Sequence, residues 1–284
     1  MHILHGFRGI CLVAAALAFQ TIDAHAACEP DKVATKYPKL AGRMITVGQD
    51  GESPPFSFRD PKNFDTLIGL DADMARSVFA CIGVPVEFKT GNWSGLIPAT
   101  MAGQIDVMWD TLLYTPERAK RLDFISYMNS ATGALVAKGN PKNIRSLDDL
   151  CGLRANANLG TTQEAILREA ERKCQVAGKP EVEVITSTDM PSGLRLLENG
   201  RADAVLTNRF LADRRAAGSM SVEVAFSLVT DAIIAAGTAK GNDDLAKAIQ
   251  DGIGELRQNG SLKTIYERYK VDYMLTVDPA ILTR

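Results

Sequence analysis

Apolar positions along this chain follow two periods that take turns. Met44 to Gly48 reads as a strand, and from Asp71 onward Ala75, Val78, Phe79 and Ile82 fall on one face of a helix. Val84 to Phe88 alternates as a strand does, a short helix covers Leu96 to Met101, and Ile105 to Trp109 returns to a strand. The order is β-α-β-α-β. It recurs after the middle of the chain as strand Leu153 to Ala157, helix Thr162 to Lys173, strand Val182 to Thr186, helix Met190 to Asn199 and strand Ala202 to Thr207. Two more helices follow. One sets Leu245, Ile249, Ile253 and Leu256 behind an Asn242 cap, and the other sets Leu262, Ile265, Tyr266 and Tyr269 after the break at Asn259-Gly260-Ser261.

Strand and helix in alternation predict an α/β protein with parallel sheets and right-handed crossovers, whose ligands sit beyond the carboxyl ends of the strands. In the first half those ends lead into Asp50 to Phe56, Asn92-Trp93-Ser94 and Asp110-Thr111. In the second half they lead into Gly160-Thr161-Thr162, Thr186 to Asp189, and Asn208. Polar residues concentrate at these places. Gly103 and Gly200 each end a helix three residues before an aspartate, Asp106 or Asp203, that opens a strand; both aspartates read as structural.

Composition narrows the picture. With 284 residues the chain exceeds the common size of one core, so two lobes are expected, with binding between them. It is 46% hydrophobic and 23% charged with a formal net charge of -2, which leaves no electrostatic footprint for nucleic acid or anionic lipid. Arg8 precedes an eleven-residue apolar run, Gly9 to Phe19, too short to span a bilayer. Ala24-His25-Ala26 offers small residues where a signal peptidase reads, so residues 1–26 are expected to be an export leader cut after Ala26. The mature protein is then periplasmic.

Of the five cysteines, Cys11 leaves with the leader, and Cys28, Cys81, Cys151 and Cys174 enter an oxidising compartment. Three connectivities are open, and the sequence gap between the first two and the last two favours Cys28–Cys81 and Cys151–Cys174. No C-x-x-C or histidine pair accompanies them, and His2, His5 and His25 all lie in the leader, so neither a zinc site nor any other cofactor is expected.

The residues resemble the periplasmic solute-binding proteins of polar amino-acid import systems, family 3 or cluster F. The matching stretches are VGQDGESPPFSF from Val47, IGLDADM from Ile68, NWSGLIP from Asn92, TPERAKRLDF from Thr115, SLDDLCGL from Ser146, GTTQE from Gly160, GRADAVL from Gly200 and NGSLKTIYERY from Asn259. The resemblance implies a bilobed periplasmic-binding-protein-like fold of type II, with two βαβαβ lobes joined by a two-stranded hinge. The chain would leave lobe 1 (27–134) near Gly133 to Lys138, form lobe 2 (135–229), and return near Leu228 to Ile234, where 230–284 packs back on lobe 1. A monomer would close on its solute by hinge motion and present it to the membrane permease of an ATP-binding-cassette (ABC) importer.

The resemblance also assigns roles. It implies that Arg118 grips a ligand carboxylate, for which the guanidinium fork is suited, and that Thr161 and Thr162 offer the same group the open N–H groups of a helix start. Thr111 falls near the ligand's ammonium, and Trp93 lines the pocket as an aromatic platform. Leu113 departs from the usual Ser or Thr and keeps only its backbone N–H. Ser53 stands where basic-amino-acid binders often carry an aromatic residue, so their stacked sandwich is not expected, and Phe56 reads as packing. Asn208 stands where the α-amino-acid binders usually place an Asp against the ammonium. Two readings follow: Asp110 supplies the missing charge, or the ligand has no α-ammonium. Asp50 and Glu52 could read a distal group or be solvated.

The sequence leaves two competitors to a transport receptor. Relatives of this fold include cyclohexadienyl dehydratases, which need a cleft carboxylate as general acid, and Asp110, Asp50 and Glu164 are available. A receptor presenting its ligand to a chemoreceptor would need the same pocket. A Ser-His-Asp or Cys-His arrangement is excluded, because the expected mature chain has no histidine.

Overall fold

The structure is a computed structural model and describes residues 28–284; the expected leader and its cleavage point lie outside them. After helix α1 (Val33–Lys36), strand β1 (Ile45–Gln49) lies between β5 (Val86–Thr90) and β6 (Val107–Met108), parallel to both. A small antiparallel sheet of β2 (Glu52–Ser53), β3 (Ser57–Asp60) and β4 (Asn63–Ile68) is inserted before helix α2 (Leu70–Ile82). Helix α3 (Trp93–Met101) precedes β6, and the short α4 (Pro116–Ala119) follows it.

The second lobe repeats the plan. Strand β8 (Arg154–Asn158) is parallel to β9 (Glu183–Ser187) on one side and β10 (Ala204–Asn208) on the other, with α5 (Thr162–Val176), α6 (Met190–Glu198) and α7 (Arg209–Ala216) around them. Between the lobes run two long antiparallel strands, β7 (Leu122–Ala137) and β11 (Val222–Ala239). Strand β11 joins β6 and β7 joins β10, so one sheet in the order β5-β1-β6-β11-β7-β10-β8-β9 continues through both lobes. Pairing of β7 with β11 shifts register between Leu228 and Ala232, opposite Thr132 and Ser130. After β11, α8 (Asp243–Gln258), α9 (Ser261–Arg268) and β12 (Ile281–Leu282), which pairs with β7, complete the first lobe.

Helical periodicity places the core. Met74, Val78 and Phe79 of α2 and Ile249, Ile253 and Leu256 of α8 are buried in one cluster over the first-lobe sheet, where each such side chain contributes about 2 kcal/mol. The helices approach closely because Gly252 has no side chain, since a Cβ there would lie 2.7 Å from Val78 Cγ1. The opposite face is filled by Trp93, Leu96, Met108 and Phe124. In the second lobe Ala155, Leu167, Cys174, Val182 and Leu206 form a separate cluster. Gly133 of β7 likewise lets α7 settle on the crossing strand, since a Cβ there would stand 2.7 Å from Ala212 Cβ. Disulfides join Cys28 to Cys81 and Cys151 to Cys174.

Several elements differ from the sequence expectation. Helix α3 starts at Trp93, so Trp93 opens a helix and does not lie in a loop. The strand expected over Ile105 to Trp109 narrows to β6, because the Asp106 carboxylate accepts the Thr46 N–H at 2.9 Å next to the ladder. Asn242 precedes α8 without a side-chain cap bond. Sheet β2–β4 and helix α7 carry no clear apolar period and were not expected; in α7 only Leu211 and Ala212 are buried.

Candidate functional site

The carboxyl ends of the strands from both lobes face one cleft, and four helix starts meet there. Thr115 caps α4 by accepting the Arg118 N–H at 3.1 Å. Thr161 caps α5, accepting the Glu164 N–H at 3.2 Å while its hydroxyl donates to the Asn158 carbonyl at 2.7 Å. Asn208 caps α7 by accepting the Phe210 N–H at 2.9 Å. Asp189 caps α6 by accepting the Ser192 N–H at 2.7 Å. Asn208 ends β10, and Asp189 and Thr161 follow β9 and β8 by two and three residues, so the α/β alternation carries these helix starts to the cleft.

The cleft holds a cavity lined by Ser53, Trp93, Thr111, Leu113, Arg118, Thr161, Thr162 and Asn208 among others. It holds about 480 Å³ of unoccupied space, part of it open to solvent. Arg118 spans the mouth. Its guanidinium donates to the Leu113 carbonyl and, across the cleft, to the Gly160 carbonyl, each at 2.7 Å. Its Cζ lies 5.4 Å from the centre of the Trp93 ring, within cation–π range. Burial lowers the Arg118 pKa to about 10, which leaves it charged at neutral pH. Trp93 is held in turn by its indole N–H, which donates to the Asp110 carbonyl at 3.2 Å. Two further contacts join the lobes: Arg215 donates to the Glu52 carbonyl at 3.3 Å, and the Phe56 and Phe210 rings meet edge to face at 6.0 Å.

A single side chain with a charge lines the cavity among the described residues, and it is Arg118. Its guanidinium stands beside the start of α5, whose first turn has N–H groups without intrahelical partners. The family model that describes bacterial extracellular solute-binding proteins, family 3, matches residues 45–272. The chain belongs to that family.

Its relatives among the solute-binding proteins include the L-cystine-binding protein TcyJ of Escherichia coli, 33% identical over 79% of this chain and 82% of that protein. A probable amino-acid ABC transporter-binding protein of Haemophilus influenzae is 27% identical over 89% of this chain and 92% of its own length. Among solved structures, an ancestral arginine-binding protein bound to arginine superposes with a TM-score of 0.72 at 30% identity, covering 80% of this chain and 97% of that one. The ancestral amino-acid-binding protein AncCDT-1, a precursor of cyclohexadienyl dehydratase, superposes with a TM-score of 0.70 at 27% identity, covering 84% and 98%.

Against that family pattern, Asp110 and Asp50 stand apart from the other candidates, since neither lines the cavity. Both lie one layer behind it. Asp110 is fully buried; its Oδ2 accepts the Asp50 N–H at 2.9 Å, and its Oδ1 has no hydrogen-bond partner among the described residues. Asp50 accepts the Ser53 hydroxyl at 2.7 Å and the Glu52 N–H at 2.9 Å. A third carboxylate, Asp71, sits deeper and accepts the Thr111 N–H at 2.7 Å and the Tyr127 hydroxyl at 2.8 Å. Burial pushes all three upward, Asp71 to about 7, and Asp50 and Asp71 raise Asp110 further by charge repulsion. Thr111 itself adopts φ 46, a left-handed conformation uncommon outside glycine, with its N–H tied to Asp71.

Asn208 contributes less to the cavity than its place suggests. Its Oδ1 is spent on the Phe210 N–H and its Nδ2 donates to Ser130 Oγ at 2.9 Å. Leu113 reaches Arg118 through its carbonyl and also lines the wall. Sequence reasoning passed over Asn158, Gln163, Met190, Thr207 and Leu211, which line the same cavity. Asn158, Gln163, Met190 and Thr207 lie within one position of a strand end or helix start already singled out, whereas Leu211 sits inside α7, which has no apolar period of its own to signal it. Among the described residues no group of His, Cys, Asp and Glu is arranged to hold a metal ion, and no helix is long and apolar enough to cross a membrane.

Proposed function

We propose that this chain is the periplasmic receptor of an ABC importer and binds a small amino acid or amino-acid derivative between its lobes. The observation that supports this most is Arg118, set over Trp93 in the cleft and donating to backbone carbonyls of both lobes. A ligand carboxylate would take guanidinium N–H groups of Arg118 and the N–H of Thr162, the Thr161 N–H being given already to the Asn158 carbonyl at 3.2 Å, and would so draw the lobes together. Lobe 1 comprises 27–134 and 230–284, lobe 2 comprises 135–229, and the hinge runs through β7 and β11 where their pairing shifts register. The receptor acts as a monomer and delivers its closed form to a membrane permease, after export has removed residues 1–26.

This reading makes the protein a binder and not an enzyme. In its support, the carboxyls that a dehydratase reading would use, Asp110 and Asp50, stand behind the residues that line the cavity. The test is a thermal-shift and calorimetric screen of the ligand-free mature protein against L-cystine, L-arginine, L-glutamine and amine-free carboxylates. A ligand at a hundredfold its Kd stabilises the native state by about 2.7 kcal/mol. Arg118→Ala is expected to abolish that shift, and unchanged affinity in Arg118→Ala would sink the assignment.

A further inference from the structure

Asn208, at the position where the resemblance leads one to expect an acid, has its amide committed on both sides to Phe210 and Ser130. No carboxylate lines the cavity in its place among the described residues. A charged ammonium held between the lobes nevertheless needs a compensating charge. The floor of the first lobe provides one, a layer deeper than expected. Ser53 lines the cavity and gives its only proton to Asp50, so towards a ligand its oxygen can act only as an acceptor. Thr111 and Trp93, which also line the cavity, flank or contact Asp110. Asp110 is fully buried with one carboxylate oxygen left without a partner.

We propose that the ammonium of the ligand is read from this floor, through Ser53 and the Thr111 turn, with its counter-charge supplied by the buried pair Asp50 and Asp110 and not by position 208. Asp110 and Asp50 are thus positioning and charge-supplying residues that specify an amine-bearing ligand. The inference rests on the amino-acid reading above and adds to it where the charge resides. The groups that face the pair are few: Glu52 in the following turn, Asp71 of α2, Tyr127 of β7 and Arg215 of α7. Arg215 is the one cation among them, so four carboxyls, the pair included, face one guanidinium, and an arriving ammonium draws the pair towards its ionised form.

The experiment compares each amino acid with its amine-free counterpart: L-cystine with dithiodipropionate, and L-glutamine with glutaramate, by titration calorimetry. The wild type is expected to prefer the amine by about a hundredfold, and Asp110→Asn to reduce that preference at least tenfold while changing amine-free binding about twofold or less. Ser53→Ala, a mild change if Asp110→Asn does not fold, is expected to reduce the preference in the same direction. Combining Asn208→Asp with Asp110→Asn should restore it, a rescue that a purely structural role for Asp110 would not produce. Preference unchanged in both Asp110→Asn and Ser53→Ala overturns the inference, as does equal binding of the two compounds by the wild type, which leaves the carboxylate receptor standing. Binding of neither kind overturns the amino-acid reading and this inference with it.

Discussion

Asp203 clamps Arg154 at three points: its carboxylate accepts the Arg154 backbone N–H at 2.9 Å and the guanidinium Nε and NH2 groups at 3.2 and 3.0 Å. Asp106 does the equivalent work in the first lobe, accepting the Thr46 N–H at 2.9 Å and the Arg43 guanidinium at 2.7 Å. Each aspartate follows a helix and fixes the start of the neighbouring parallel strand, β8 or β1. The repeated Gly-x-x-Asp spacing is therefore architectural, and the Asp203 pKa falls below its usual value because the hydrogen bonds from Arg154 outweigh burial. Asp203→Ala should cost about 2 kcal/mol. Thermal unfolding checks this, and ligand affinity should stay within about twofold of wild type because the site lies at the other end of the strands.

The buried carboxyls predict an unusual pH profile. Asp50, Asp71 and Asp110 hold protons more tightly in the folded chain than in the unfolded one, with Asp71 near 7. The folded state then binds more protons than the unfolded state from the ordinary carboxylate range up to about 7, and stability falls as pH rises through that window. The expected mature chain has no histidine to mask this. The melting temperature should fall between about pH 5 and pH 8, and Asp71→Asn should flatten the slope. A profile that rises over the same range would show that these carboxyls are ionised without penalty.

Tyr127 and Asp71 together hold the Thr111 turn. Tyr127→Phe removes the hydroxyl that Asp71 Oδ1 accepts at 2.8 Å and leaves that buried oxygen short of a donor. The expected cost is about 1–3 kcal/mol in stability. Because Thr111 lines the cavity, ligand affinity should also weaken, and a denaturant curve beside a binding isotherm separates the two effects.

The disulfides should differ in what they contribute. The chain closed by Cys28–Cys81 has a sequence separation of 53 and that by Cys151–Cys174 of 23. Chain-entropy reasoning gives about 4 and about 3 kcal/mol. Paired Cys→Ser variants measured by denaturant unfolding should keep that order, and Cys151→Ser with Cys174→Ser should loosen α5, which supplies Thr162 to the cavity.

Much of this protein is legible in one dimension. The alternation of strand and helix periods marked β1, β5, β8, β9, α2, α5, α6, α8 and α9 to within a few residues, because each buries one face or one stripe and the pattern repeats at short range. The strand-end rule then drew Ser53, Trp93, Thr111, Thr161, Thr162 and Asn208 to one cavity, and the family resemblance added Leu113 and Arg118. The inserted sheet β2–β4 and helix α7 escaped, since their residues are fixed by what they pack against and not by a period of their own.

The sequence alone also set the inventory of charges, and hence the unusual pairing of Asn208 with Asp110. What it could not set is depth. Asp110 adjoins a cavity residue in sequence yet turns into the protein, because the Thr111 turn that follows β6 is held in a left-handed conformation by Asp71 from a different helix. Asp50 is likewise screened by Ser53, three residues on, through a hydrogen bond that forms only when the β1–β2 turn folds back. Whether a carboxylate meets a ligand or stands behind the residue that does depends on contacts between distant elements, and those exist only in the folded chain.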